Sequence, residues 1–276
     1  MTIVQALILG IVQGLTELLP VSSSAHLNVI PWIFNWTNDP SFMADFNGSF
    51  DIALHFGTLI AIGIFFFKDW INLIKAGCAK VFKKEDSTEG RMFWYLVWAT
   101  IPAGILALVL DELSEKFIIR GNFKVEMGMI ATALIVMGII LAIVDKKAKS
   151  EVKYEEITFK QSMLIGISQA IAAAFPGVSR SGITMTVARG LKIDRESAAK
   201  FSFLLSTPIV AAAVLVDIGK FALTSIPFWI GVVASFIVGL IVVKFLMDYL
   251  KKGSFKGFAI YRIILGLIIF ALIFIR

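Results

Sequence analysis

Six stretches of this chain are apolar over about the length a helix needs to cross some 30 Å of hydrocarbon, roughly 20 residues. They are 50–67, 93–110, 126–144, 201–219, 227–248 and 258–275. The first is short, and Lys68 behind it is placed to snorkel to the interface. Trp32, Trp36, Trp70, Trp94 and Trp229 fall near predicted ends, as an aromatic belt would put them. Two further apolar segments, 3–34 and 161–190, do not read as simple spans. Each is interrupted at its centre by Pro and then by Ser-rich or Gly/Ser-rich sequence, which stops a helix. Two short helices joined by such a break can enter and leave a membrane on one side, provided the break is buried in protein or lines a cavity. The pattern therefore predicts an all-α polytopic membrane protein, a single domain over 1–276, with about six transmembrane helices and two re-entrant broken-helix segments.

The two interruptions repeat one another. The first reads Gly10-Ile-Val-Gln13-Gly-Leu-Thr-Glu17-Leu-Leu-Pro20-Val-Ser22-Ser23-Ser24, the second Gly166-Ile-Ser-Gln169-Ala-Ile-Ala-Ala-Ala-Phe-Pro176-Gly-Val-Ser179-Arg180-Ser181. A re-entrant segment plus three spans, used twice, gives halves of opposite orientation, approximately 1–145 and 160–276. In such inverted repeats the site lies near the midplane, where the broken helices meet. Basic residues orient the plan. Lys68, Lys75, Lys80, Lys83, Lys84 and Arg91 lie in the 68–91 loop, and Lys146, Lys147, Lys149, Lys153 and Lys160 in the 145–160 loop. Arg189, Lys192, Arg195, Lys200, Lys251, Lys252 and Lys256 fall on the same side; only Lys116, Arg120, Lys124, Lys220 and Arg276 face the other. The rich side is cytoplasmic. Both termini and the mouth of the first re-entrant segment then face outward, and the second segment enters from the cytoplasm.

Composition agrees: 58% of residues are hydrophobic and the mean hydropathy is +0.86, which excludes an ordinary soluble domain. The N-terminus has no charged n-region or small-residue cleavage site, so no removable signal peptide is expected. Cys78, the only cysteine, excludes an intramolecular disulfide and a Cys-based metal site. The net charge of +6 does not point to nucleic acid, because its position along a membrane chain matters more than its sum. No Walker loop, zinc-spaced His/Cys set or nucleotide fingerprint is present.

The chemistry lies in the breaks. Gln13 and Glu17, at i and i+4, share a helix face. Pro20 ends that helix, and Ser22, Ser23 and Ser24 precede a second helical stretch containing His26. Hydroxyl residues at a helix start cap it and leave backbone N–H groups to hold an anion. In the second copy Pro176-Gly177 makes the turn, Ser179, Arg180 and Ser181 open the next helix, and Thr184 sits in its first turn. Hydroxyls, backbone donors and a planar guanidinium suit phosphate. A carboxylate, an imidazole, several nucleophilic hydroxyls and an anion clamp are the parts of a phosphoryl-transfer site. Each has a plainer reading: Glu17 and His26 as interfacial polar groups, the serines as interhelical hydrogen-bond glue. Asp51 and His55, at i and i+4, are candidate helpers at the site's mouth. Asp217 is expected at an interface, Lys244 and Arg262 to snorkel, and Asp111, Glu112 and Glu115 to form a solvated loop. Gly138, Gly231 and Gly239 are expected to serve packing.

The run from Gln13 to His26 resembles the (Glu/Gln)-x-x-x-Glu plus Pro-Val-Ser-Ser-x-x-His signature of the undecaprenyl-diphosphatase family, the bacitracin-resistance type. Pro176-Gly-Val-Ser179-Arg180-Ser181-Gly-Ile-Thr184 is similar to that family's Pro-Gly-x-Ser-Arg-Ser-x-x-Thr motif, and Phe201-Ser-Phe-Leu-Leu and Ala259-Ile-Tyr-Arg262 also look familial. The resemblance implies an enzyme hydrolysing undecaprenyl diphosphate to the monophosphate and phosphate, recycling the lipid carrier of cell-wall synthesis from an outward-facing site in the plasma membrane. It implies Glu17, His26 and Arg180 as the main functional residues and Ser22, Ser23, Ser179, Ser181 and Thr184 as motif hydroxyls. It also implies a divalent metal ion, Mg or Ca. Gln13 stands where many members carry glutamate, so Glu17, with Gln13 or Asp51, would be the candidate ligands of that metal. The expected partners are the polyprenyl diphosphate and membrane lipids, with a homodimer left open. Arg180 with the N–H groups after Pro176, Gly177 included, would bind the diphosphate; Gln13, Ser24 and the motif hydroxyls would help. Ser23 is the preferred nucleophile with His26, three residues on, as its acid/base; attack by His26 or by water stays open. The rival reading is a polyprenyl-phosphate flippase or secondary transporter, since the inverted plan is a transporter plan.

Overall fold

A computed structural model describes residues 1–117, 123–217, 223 and 225–275, without the side chains of 48, 49, 111, 115–117 and 217. Arg120, Lys220 and Arg276 therefore lie outside the described residues, as do the side chains of Asp111, Glu115, Lys116 and Asp217.

The chain is helical nearly throughout. Helix α1, Ile3–Thr16, starts on a Thr2 capping box and stops before Pro20; α2, Ser23–Ile33, follows the break. A short α3, Pro40–Asp45, capped by Asp39, runs through a π-turn at Phe46–Phe50 into α4, Asp51–Phe65. After a 73° bend the chain continues as α5, Phe67–Phe82. Then come α6, Thr88–Phe117, and α7, Phe123–Lys147. The second interrupted segment holds α8, Phe159–Ser168, α9, Ala170–Ala174, and α10, Arg180–Gly190. Three long helices complete the chain: α11, Arg195–Asp217, α12, Ile226–Leu250, and α13, Lys256–Ile275. Among the described residues the one β-pairing is an isolated bridge between Val152 and Ile193.

Five helices, α6, α7, α11, α12 and α13, are long and apolar enough to cross a membrane, and the bent pair α4–α5 makes a sixth. This is an all-α polytopic membrane protein. Two expectations need correction. The acidic run Asp111, Glu112 and Glu115, expected as a solvated loop, lies within the helix α6. The stretch after residue 67, read as a loop, is the helix α5. Its three lysines, Lys68, Lys75 and Lys80, mask a helical apolar row, Phe67, Ile74, Cys78 and Val81, that is exposed. Helix α4 alone has 15 residues, about 22 Å of rise.

Without a hydrophobic drive between helices in lipid, small residues let backbones approach. Helix α1 packs on α12, where a Cβ on Gly10 would stand 2.9 Å from the Gly231 carbonyl oxygen. Helix α8 packs on α6 in the same manner, a Cβ on Gly166 falling 2.5 Å from the Ala99 carbonyl oxygen. Helices α7 and α13 form the third long contact, with Gly138 against Ala259 and Gly266 against Ala131. Gly138, Gly231 and Gly239 do serve packing.

At the Lys-rich end, two residues counted as loop charges are structural. Arg189 is fully buried. Asp145 Oδ1 accepts from Arg189 Nε at 3.0 Å and Arg195 Nε at 2.7 Å, while Oδ2 accepts from the Phe255 N–H at 3.0 Å. A buried guanidinium needs such a partner, and this one ties α7, α10, α11 and the start of α13 together.

Candidate active site

Glu17 caps α1 at its C-terminal end, one turn after Gln13, whose Nε2 donates to Glu17 Oε2 at 3.2 Å. After the break, α2 is capped at its start by Ser22, whose φ is +78°. The second copy does the same at Ser179, with φ +70°. A non-glycine residue held at positive φ costs about 1–3 kcal/mol and persists only where its surroundings over-determine it. Here each serine side chain caps its helix, Ser22 Oγ accepting from Ala25 N and Ser179 Oγ from Gly182 N. Superposing the two caps sets Ser23 opposite Arg180, because Gly177 lengthens the second break by one residue.

The two breaks meet. Arg180 donates through Nη2 to Glu17 Oε1 and through Nη1 to the Ser206 carbonyl at 3.5 Å. Ser181 Oγ donates to the Glu17 and Leu19 carbonyls at 3.1 and 3.2 Å, and the Gly177 N–H donates to Ser24 Oγ at 3.3 Å. Ser23 Oγ donates to Glu17 Oε2 at 2.6 Å. The other motif hydroxyls are committed elsewhere. Ser22 and Ser179 cap helices, while Thr184 bonds the Arg180 carbonyl and Ser202 Oγ on α11, at 2.9 and 2.6 Å. Of the motif hydroxyls, Ser23 alone has its oxygen on a carboxylate.

His26 departs from its expected pairing with Ser23. Its Nδ1 lies 2.7 Å from the Ser22 carbonyl oxygen and its Nε2 lies 2.6 Å from Tyr261 Oη. The i, i+3 relation to Ser23 is real, but the capping geometry turns the ring toward α13. His55 does reach the site, with Nε2 3.6 Å from Glu17 Oε2. Asp51 does not join Glu17; its half-exposed carboxylate lies 3.7 Å from His55 Nδ1.

The largest correction concerns Arg262, expected at the membrane surface. It is completely buried. Its Nη1 donates to the Pro20 carbonyl at 3.2 Å, and its Nη2 to the Gly177 and Val178 carbonyls at 2.9 and 2.8 Å. One guanidinium thus bridges both breaks. A Cβ at Gly182 would stand 2.5 Å from Arg262 Nη1, so this glycine keeps the space open. A signal existed: Arg262 lies six residues, about 9 Å, beyond Lys256 at the helix start, deeper than an interfacial charge needs to be. Lys244, by contrast, is exposed.

Two guanidinium groups against one carboxylate leave the centre net positive, and helix N-termini from α2 and α10 add N–H donors. That combination favours an anion. For a cation, the protein offers Glu17 and the Gln13 Oε1 atom, which is buried without a hydrogen-bond partner. Among the described residues no group of three His, Cys, Asp or Glu side chains converges to hold a metal. The residues fit a divalent ion only as a site completed by oxygens of a bound anion, a common arrangement for Mg²⁺ with phosphates.

The fold and site define an integral membrane protein with a buried polar centre built where two broken helices meet. The chain belongs to the bacitracin resistance protein BacA family, whose model matches residues 6–268. It is similar to the undecaprenyl-diphosphatase of Pelotomaculum thermopropionicum, 45% identical over 99% of this chain and 97% of that one. It is likewise similar to the undecaprenyl-diphosphatases of Caldicellulosiruptor bescii, 40% identical over 100% and 99% of the two chains, and Moorella thermoacetica, 40% identical over the full length of both.

Proposed function

We propose that this protein is an undecaprenyl-diphosphatase, hydrolysing undecaprenyl diphosphate to the monophosphate and inorganic phosphate and so recycling the lipid carrier of cell-wall synthesis. The observation that carries the reading is the contact of Ser23, Glu17 and Arg180, which unites a hydroxyl, a carboxylate and a guanidinium from two different breaks.

The tail stays in lipid while the diphosphate enters between the breaks. Its oxygens replace Glu17 on Arg180, whose fork suits phosphate. The N–H groups at the starts of α2 and α10 take the remaining charge. Glu17, released from Arg180, accepts the Ser23 proton through Oε2. Ser23 Oγ bonds to the terminal phosphorus as the bond to the bridging oxygen breaks, and the polyprenyl monophosphate leaves. Water then hydrolyses the phosphoserine, and Oγ recovers its proton. A divalent ion, held by Glu17, Gln13 Oε1 and substrate oxygens, would supply further positive charge to the diphosphate. His55 orients Glu17, and Arg262 keeps the two breaks in register.

The lysine asymmetry supports a cytoplasmic Lys-rich end, with both termini and the site's mouth outside. The parallel packing of α1 on α12 and α8 on α6 supports inverted repeats over about 1–145 and 160–276.

The test is phosphate release from a polyprenyl diphosphate by purified protein in detergent. Arg180→Ala should lose at least about 10²-fold in turnover, the scale of removing one charge-stabilising donor. Near-wild-type turnover in a folded Arg180→Ala protein refutes the assignment. Lipid movement across proteoliposomes with no phosphate released would favour the transporter reading.

A further inference from the structure

Helix α13 gives the site two consecutive residues. Arg262 turns inward to the carbonyls, and Tyr261 reaches His26 with its hydroxyl. A carbonyl oxygen only accepts, so the 2.7 Å contact to Ser22 puts a hydrogen on His26 Nδ1 and leaves Nε2 as the nitrogen that changes protonation. Across the 2.6 Å contact, a neutral ring accepts from the phenol and a charged ring donates to it. The pair can exchange a proton without either side chain moving. His26 is 7% exposed and Tyr261 45%, so the tyrosine is the less buried member of the pair. The Ser23 proton already has a destination on Glu17. The charged groups on surrounding elements are Arg262, held by carbonyls, and Glu17, Arg180 and His55, engaged with one another.

We propose that Tyr261 is an acid–base residue of the reaction, relaying a proton between His26 and the water that hydrolyses phosphorylated Ser23; this rests on the phosphatase reading above. As the water oxygen bonds to phosphorus, one water O–H bond breaks and its proton passes to Tyr261 Oη, while the Tyr261 proton passes to His26 Nε2. The bond from phosphorus to Ser23 Oγ breaks, and Oγ takes back the proton that Glu17 held. The proton on His26 returns through Tyr261 to water as phosphate leaves. No outside reactant is needed.

Tyr261→Phe removes one oxygen and keeps the ring. Phosphate release should fall about 10²-fold in kcat with KM changed by less than about twofold, and phosphoserine should accumulate at Ser23 after acid quench. Loss of packing alone would not trap a phosphoenzyme. Tyr261→Phe combined with His26→Ala should be no slower than His26→Ala alone. A Tyr261→Phe kcat within about twofold of wild type, or multiplicative losses in the pair, overturns the proposal. If Tyr261→Phe fails to fold, 3-fluorotyrosine at 261 decides. The more acidic phenol should move the alkaline limb of the kcat–pH profile to lower pH, and an unmoved limb overturns the relay. A wild-type protein releasing no phosphate refutes the phosphatase reading itself; an active wild type with an intact Tyr261→Phe refutes only the relay.

Discussion

Replacing Arg262 with Met keeps a long side chain but removes every donor. Three carbonyls, of Pro20, Gly177 and Val178, then lose their partner. An unsatisfied buried acceptor costs about 1–3 kcal/mol, so the gross loss is about 3–9 kcal/mol. Against this stands the desolvation of a fully buried cation, several kcal/mol, which the variant no longer bears. The net destabilisation is about 2–4 kcal/mol, or some 4–12 °C in the unfolding midpoint at roughly 2–3 °C per kcal/mol for a chain of this size. Turnover should fall further than stability does. The guanidinium fixes Pro20 relative to Gly177, hence Ser23 relative to Arg180, and a displacement of about 1 Å can cost about 10²-fold. Arg262→Lys should lie between, since one ammonium cannot reach both breaks with the same fork. The assay is thermal unfolding in detergent beside phosphate release from the same preparation. An Arg262→Met protein with wild-type midpoint and turnover refutes the bridging role.

Other outcomes follow from the same geometry. Glu17→Gln should abolish turnover yet bind a non-hydrolysable diphosphate more tightly than wild type, because Arg180 no longer has a carboxylate on it; weaker binding by equilibrium titration contradicts that competition. Gln13→Glu turns the orphaned amide oxygen into a carboxylate, so half-maximal stabilisation by Mg²⁺ with bound substrate analogue should shift to lower concentration, and an unchanged midpoint removes Gln13 from the metal's surroundings. Cys78, the sole cysteine and exposed, should react with a membrane-impermeant maleimide in inside-out vesicles and not in right-side-out ones; the opposite pattern reverses the proposed orientation.

Both breaks were readable because Pro20 and Pro176 interrupt otherwise continuous apolar runs. Arg180 stood out for the same reason, as a charge among apolar neighbours. The five long helices match the expected spans with ends up to seven residues off, since apolar composition locates a span better than its limits. What local reading missed was pairing across the chain. Arg262 looked interfacial until its acceptor 242 residues away was known, and Tyr261 had no visible reason to lie on His26, 235 residues distant. Nothing local marks Asp145 either, although it anchors an N–H 110 residues on. The bend at Phe66 was hidden because lysines spaced along α5 lower its mean hydropathy while leaving a helical row of apolar residues intact. Nor does composition reveal that Ser22 and Ser179 sit at positive φ; only their surroundings impose it.

The clamp made by Arg262 also has a consequence for how the protein is made. Pro20 lies between α1 and α2, and Arg262 follows it by 242 residues. During biogenesis the Pro20 carbonyl must wait without this partner until α13 inserts. The centre therefore closes only when α13 is in place, and a chain cut before α13 would carry every motif residue of both breaks and still lack the guanidinium that joins them.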